Sequence, residues 1–255
     1  MLELKALTKL YRGLPGVRNV SLKLAPGEIL GYIGPNGSGK STTIKMLTGL
    51  IDPTSGQILY YGKEVTKDFA GFKRHVGYIP EEPHLYTHLS GLEYLTLVGR
   101  LRGLEAHLLA RKADAFLSLL DLHESRFSAM TSYSKGMRQR ILIAAALLAD
   151  PQVIILDEPF SGLDVNAAML FRQLLIELAR SGRMILFSSH VLEVVEKLCS
   201  QVVILYRGDV AAQDSIEGLR NLLALPSLVE VFAQLTQQQD QDVRAREIVE
   251  VMAAR

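Results

Sequence analysis

The chain has 255 residues, 48% hydrophobic and 22% charged, which excludes a disordered chain and supplies a core without staples. Lys and Arg total 28 against 27 for Asp and Glu, and the net charge of +1 lacks the basic excess of a protein built to grip nucleic acid. The one cysteine, Cys199, excludes an internal disulfide or a cysteine metal cluster and fits a reducing compartment.

Met1-Leu-Glu-Leu-Lys opens a mixed rather than apolar stretch, so no secretory signal is expected. Leu2 to Leu7, Val17 to Leu24 and Gln57 to Tyr61 alternate as half-buried strands, divided by Pro26-Gly27, Asp52-Pro53 and Tyr61-Gly62. Between them Glu28 to Ile33 is a short apolar run that ends in a glycine-rich turn, and Ser41 to Leu50 reads as a helix. Leu85 to Leu122 carries apolar residues at helical spacing with breaks expected at Gly99, Gly103 and Asp121. Val153 to Leu156, Met184 to Ser188 and Val202 to Tyr206 read as short buried strands. Strands alternating with helices predict a layered α/β core. The longest apolar region, Ile141 to Leu156, is broken by Asp150, Pro151 and Gln152, short of the roughly 18 to 20 residues that span a bilayer. Any membrane role is therefore expected through a partner. The tail after Pro226 is read as a polar loop over Gln237 to Asp242 and a short helix over Val243 to Arg255.

Three segments carry chemistry. Gly34-Pro35-Asn36-Gly37-Ser38-Gly39-Lys40-Ser41 has the spacing of a phosphate-binding loop between a strand and a helix. Its glycines let backbone N–H groups turn toward phosphate oxygens, Lys40 brings a point charge to the β- and γ-phosphates, and the Ser41 hydroxyl suits Mg²⁺. The helix that begins there turns its positive end to the anion. Val153 to Glu158 is a buried strand ending in two acids, Asp157 to hold Mg²⁺ and Glu158 to orient or deprotonate water, a pairing that favours hydrolysis over storage. Tyr133-Ser134-Lys135-Gly136-Met137 opens an apolar run, with Ser134 as its N-cap, and is a candidate second anion site.

In this order the segments resemble the ATP-binding cassette (ABC) ATPases, the nucleotide-binding subunits of ABC transporters, over about Leu2 to Gly218. Gly34 to Ser41 matches the Walker A loop, Tyr133 to Met137 the signature, Ile154 to Glu158 Walker B, Ser161-Gly162-Leu163-Asp164 the D-loop, and His190 the switch histidine. Read alone, His190 is also a core histidine at a strand end, Tyr11 an edge-strand aromatic, and Asp164 a cap for a helix from Val165. The resemblance implies an α/β P-loop NTPase (RecA-like) core with an N-terminal antiparallel β subdomain and an inserted α-helical subdomain. It places the ATPase domain at residues 1–220, the helical insertion at about 84–149 and a C-terminal extension at 221–255.

The resemblance further implies ATP and Mg²⁺ as cofactors, with Tyr11 stacking on adenine and residues 34–42, through Thr42, holding the phosphates. Ser41, Asp157 and Glu81 would meet the metal; Glu158 would be the catalytic base, with Lys40 and His190 completing the catalytic set. Two copies would pair head to tail, so that Ser134 and Gly136 of one touch the γ-phosphate held by the other while Asp164 braces the partner. The helical insertion would receive loops of separate membrane permease subunits, at the cytoplasmic side of the membrane, with export as the direction and no nucleic-acid partner. Relatives that act on ribosomes or DNA tend to carry two cassettes or long coiled coils, which this chain lacks. Two positions depart from the common family form. Lys135 and Met137 replace glycine and glutamine in the signature, a variant common in exporter subunits. Glu81, after Gly77-Tyr78-Ile79-Pro80, replaces the usual glutamine and adds negative charge near Glu158, so that metal sensing is either altered or weakened.

Overall fold

The computed structural model describes residues 1–82, 85–236, 249, 251 and 252. Alternation along β1 (Leu2–Tyr11) buries Leu2, Leu4 and Leu7; the step between Leu4 and Leu7 is a register shift at Ala6, whose φ is +47°. β1 pairs antiparallel with β2 (Leu14–Leu24) and with β4 (Ser55–Tyr60), and β5 (Lys63–Glu64) completes a sheet of order β2-β1-β4-β5.

The second sheet holds β3 (Ile29–Ile33), β6 (Val76–Ile79), β7 (Val153–Asp157), β8 (Met184–Ser188), β9 (Gln201–Tyr206) and β10 (Asp209–Ser215) in the order β10-β9-β3-β8-β7-β6. Its ladders are parallel except for β10 on β9. The central strands β3, β7 and β8 are buried along their whole length because both faces are covered, whereas β10, at the edge, is more polar and half-buried to exposed. Leu30, Tyr32, Ile155, Leu186 and Val203 pack with the antiparallel sheet and with α1 (Lys40–Leu47). Ile33, Ile154, Leu156, Phe187 and Ile204 face the other way, toward helices of the second layer.

That layer contains α6 (Val165–Arg180), α7 (Leu192–Leu198), α8 (Ile216–Leu223) and α9 (Leu228–Leu235). The boundary expected at residue 220 falls inside α8, and Leu228, Val231 and Phe232 of α9 are buried in the main core. The predicted loop at Gln237 to Asp242 lies outside the described residues. So does most of the predicted helix at Val243 to Arg255, of which Val249, Val251 and Met252 are helical and exposed.

Helices α3 (Gly91–Leu101), α4 (Ala106–Leu119) and α5 (Lys135–Leu147) form a cluster of their own; a short α2 (Phe69–Lys73) packs by β6. A capping box between Ser90 and Glu93 starts α3. Gly99, a predicted helix break, lies inside α3: a β-carbon there would come within 2.2 Å of Leu109, so the glycine serves the close approach of α4. Gly103, at φ +75°, is where the chain turns. α5 joins the two bodies, since Ile141, Ala144 and Leu148 pack in the helical cluster while Leu142, Ile143 and Leu147 pack in the main core.

Candidate functional site

The carboxyl ends of β3, β6, β7 and β8 open on one cleft, as expected for a parallel sheet. Its volume is about 610 Å³, and its walls are Gly16, Asn36 to Thr42, Glu81, Asp157, Glu158 and His190. Gly39 precedes α1 at φ +109° and offers no capping side chain to the first-turn amides, the arrangement that makes a helix start an anion site. Gly34 and Pro35 lie behind the wall and hold Lys40, whose Nζ donates to their carbonyls at 2.6 and 3.4 Å. Burial lowers the Lys40 pKa, and the charges of Glu158, Asp157 and Glu81 oppose that shift. Ser38 Oγ is buried with no hydrogen-bond partner among the described residues.

Asp157 Oδ1 accepts a hydrogen bond of 2.5 Å from Ser188 Oγ, a partner that only the pairing of β7 with β8 provides. Glu158 follows in the left-handed region at φ +49°, uncommon for a non-glycine residue, with its N–H donating to Ser188 O. Its Oε2 lies 2.8 Å from His190 Nδ1; the Glu158 side chain is 11% exposed and that of His190 71%. His190 is thus at the cleft mouth rather than in the core. Burial raises the Glu158 pKa, while the His190 hydrogen bond and the charges of His190 and Lys40 pull it back. Tyr78, on β6, is pushed up to about 12 by burial and by the charges of Asp157 and Glu81.

Tyr11 does not line the cleft; it is half exposed at the end of β1, and its ring lies against Gly16, where a β-carbon would come within 2.7 Å. Gly16 carried no signal in the sequence, because its place in the wall arises only when β2 crosses the loop. Ser134 and Gly136 are also outside the cleft. Ser134 Oγ accepts from Met137 N at 3.2 Å and caps α5. Asp164 caps α6 through Ala167 N at 2.9 Å, as the simplest reading of that residue expected. The buried Gln139 Nε2 donates to Pro159 O at 2.9 Å and ties α5 to the turn after Glu158, a contact that no local sequence pattern marks.

Among the described residues no three His, Cys, Asp or Glu side chains converge as a metal cage. Ser41, Asp157 and Glu81 nevertheless offer hard oxygen donors on one cleft, which fits Mg²⁺, an ion that usually takes one or two carboxylates and completes its shell with substrate phosphates and water.

The family model for the ABC transporter matches residues 17–161, more than half of the chain. The chain belongs to the ABC transporter family. The cassette is 35% identical to the ABC-type transporter ATP-binding protein EcsA of Bacillus subtilis (strain 168), across 93% of this chain and 97% of that one. A solved ATP-binding subunit of an ABC transporter superposes with a TM-score of 0.87 at 35% identity, covering 92% of this chain and 99% of that one. A dimeric cassette in a post-hydrolysis state, bound to ADP and Pi, superposes with a TM-score of 0.78 at 25% identity, covering 84% and 98%. The chain is therefore a P-loop ATPase of this family, and cassettes of its kind are seen as dimers.

Proposed function

We propose that this cassette is the ATP-hydrolysing subunit of an exporter whose membrane-crossing part is carried by separate chains, and that it works as a head-to-tail pair at the cytoplasmic face. One observation carries the pairing: Ser134 and Gly136 stand at the start of α5, outside the cleft that gathers the phosphate loop, Asp157, Glu158 and His190. A second copy is needed to bring such a helix start onto a phosphate in that cleft. No helix among the described residues is long and apolar enough to cross a membrane, which agrees with a separate permease.

In this reading Tyr11 stacks on the base and residues 34–42 wrap the triphosphate. Lys40 has three donors, two of them directed to the loop, which leaves one for a phosphate oxygen. Ser41, Asp157 and Glu81 would hold Mg²⁺, which would supply positive charge against the phosphates. Glu158 accepts the proton of the attacking water, and His190 fixes its carboxylate. The expected binding partner is an integral membrane chain. Affinity purification of the full chain from detergent-solubilised membranes of its own cell should recover such a chain and raise phosphate release; recovery of the cassette with soluble or ribosomal partners alone overturns the reading.

The base assignment has a pH consequence. His190→Ala removes the hydrogen bond and charge that hold the Glu158 pKa down, leaving burial unopposed on that side. The pKa then rises, more of the carboxyl is protonated at a given pH, and the acid limb of kcat moves to higher pH. A rate profile from about pH 5 to 9 reads this directly; an acid limb that stays in place or moves down removes His190 from that role.

A further inference from the structure

The first residue of α5 is Lys135, where the commoner family residue is glycine. Its Nζ donates to Ser161 Oγ at 2.9 Å across a separation of 26 residues. Its methylene stem lies on Gly162: a β-carbon at that glycine would meet Lys135 Cγ and Cδ at 2.8 Å. Gly162 has a φ of +81°, so glycine alone allows both the backbone turn and the approach of the stem. The backbones close here as well, since a β-carbon at Gly136 would stand 3.0 Å from Gly162 O. Ser161 is in turn anchored to the reaction centre, because its N–H donates to Glu158 O at 3.1 Å.

We infer that Lys135 is a positioning residue that couples the two nucleotide sites of a pair. Resting on the head-to-tail reading above, the start of α5 meets the terminal phosphate held by the other copy. The same helix start is fastened through Lys135 to Ser161, and through the Ser161 N–H to the backbone of Glu158 in its own cleft. Displacement of α5 as the other site fills therefore reaches the left-handed turn that aims Glu158. Glycine at position 135 has neither the stem that covers Gly162 nor the ammonium that holds Ser161. The contact is exposed, so it adds little to folding. Its effect is on coupling, whose measure is cooperativity between sites.

The test uses the full chain with Lys135→Met, which keeps a stem and loses the donor, with Ser161→Ala, and with both together. Phosphate release is followed against ATP concentration. Each single change should lower kcat about tenfold with KM within about twofold and bring the Hill coefficient toward 1, with the melting temperature unchanged. The double variant should be no worse than the weaker single one, since both remove the same contact. In a Glu158→Gln background, Lys135→Met should still form the ATP-bound pair by size-exclusion chromatography. A wild-type kcat and Hill coefficient in Lys135→Met, or losses that multiply in the double variant, overturn the coupling while the pair stands. Absence of any ATP-bound pair in Glu158→Gln alone overturns the head-to-tail reading and the coupling with it.

Discussion

Glu158→Gln should lower ATP turnover by about 10²- to 10⁴-fold and leave ATP bound, the range for loss of a general base. The change is nearly isosteric, and the amide can still meet His190 Nδ1, which lies 2.8 Å from the carboxylate. Stability should hold or rise. Burial disfavours the charged form of this carboxyl and raises its pKa, so a neutral side chain removes a desolvation cost that the native residue carries. The Ser188 O and Ser161 N–H bonds to the Glu158 backbone do not involve the side chain and keep the left-handed turn. With hydrolysis stalled, the nucleotide stays between two copies, and the pair should persist with magnesium and ATP but not with ADP. Phosphate release by a coupled assay, with size-exclusion chromatography of the same sample, checks both halves. Turnover within about threefold of wild type moves the base role to another group.

The phosphate loop was legible because its chemistry is local. The loop spans eight residues between a strand and a helix, and each glycine or lysine acts within its own turn. Central strands were legible for a related reason: a parallel strand covered on both faces is a continuous apolar run, as in β7 and β8. Gly99 misled because a glycine at helical spacing reads the same whether it ends a helix or lets a neighbour approach; only Leu109 distinguishes the two. The extension was partly legible. Leu228, Val231 and Phe232 have the one-sided helical spacing of a docked helix, a signal masked by the polar stretch that follows them. The contacts of Ser188 with Asp157 and Lys135 with Ser161 had no sequence signal at all. Each joins segments whose adjacency is created by sheet order or by the packing of α5, and pairwise proximity over such separations cannot be read from periodicity.

Lys40→Ala should weaken ATP binding about 10²- to 10³-fold, a loss expected for a charge-assisted contact in a partly buried site. The ammonium is the positive charge facing Glu158, Asp157 and Glu81, each of which acts on its pKa. Without it three carboxylates are left where a triphosphate must enter, and repulsion adds to the lost contact. The fold should survive, because β3 and α1 are held by Ile33, Ile44 and Leu47 rather than by the lysine. Ser134→Glu places a negative charge at the start of α5 and should also abolish turnover, yet it leaves nucleotide binding to its own cleft intact. Mixed in equal amounts, the two dead variants separate a shared site from a self-contained one. A heterodimer combines the intact cleft of the Ser134→Glu chain with the intact helix start of the Lys40→Ala chain, so one of its two sites is whole. Half the pairs are mixed, and turnover should return, up to about the quarter of wild type that independent sites would give and below it where the two sites are coupled. Sites that lie within single chains give no recovery at any ratio, and a flat mixing curve overturns the shared site even if both single variants behave as expected.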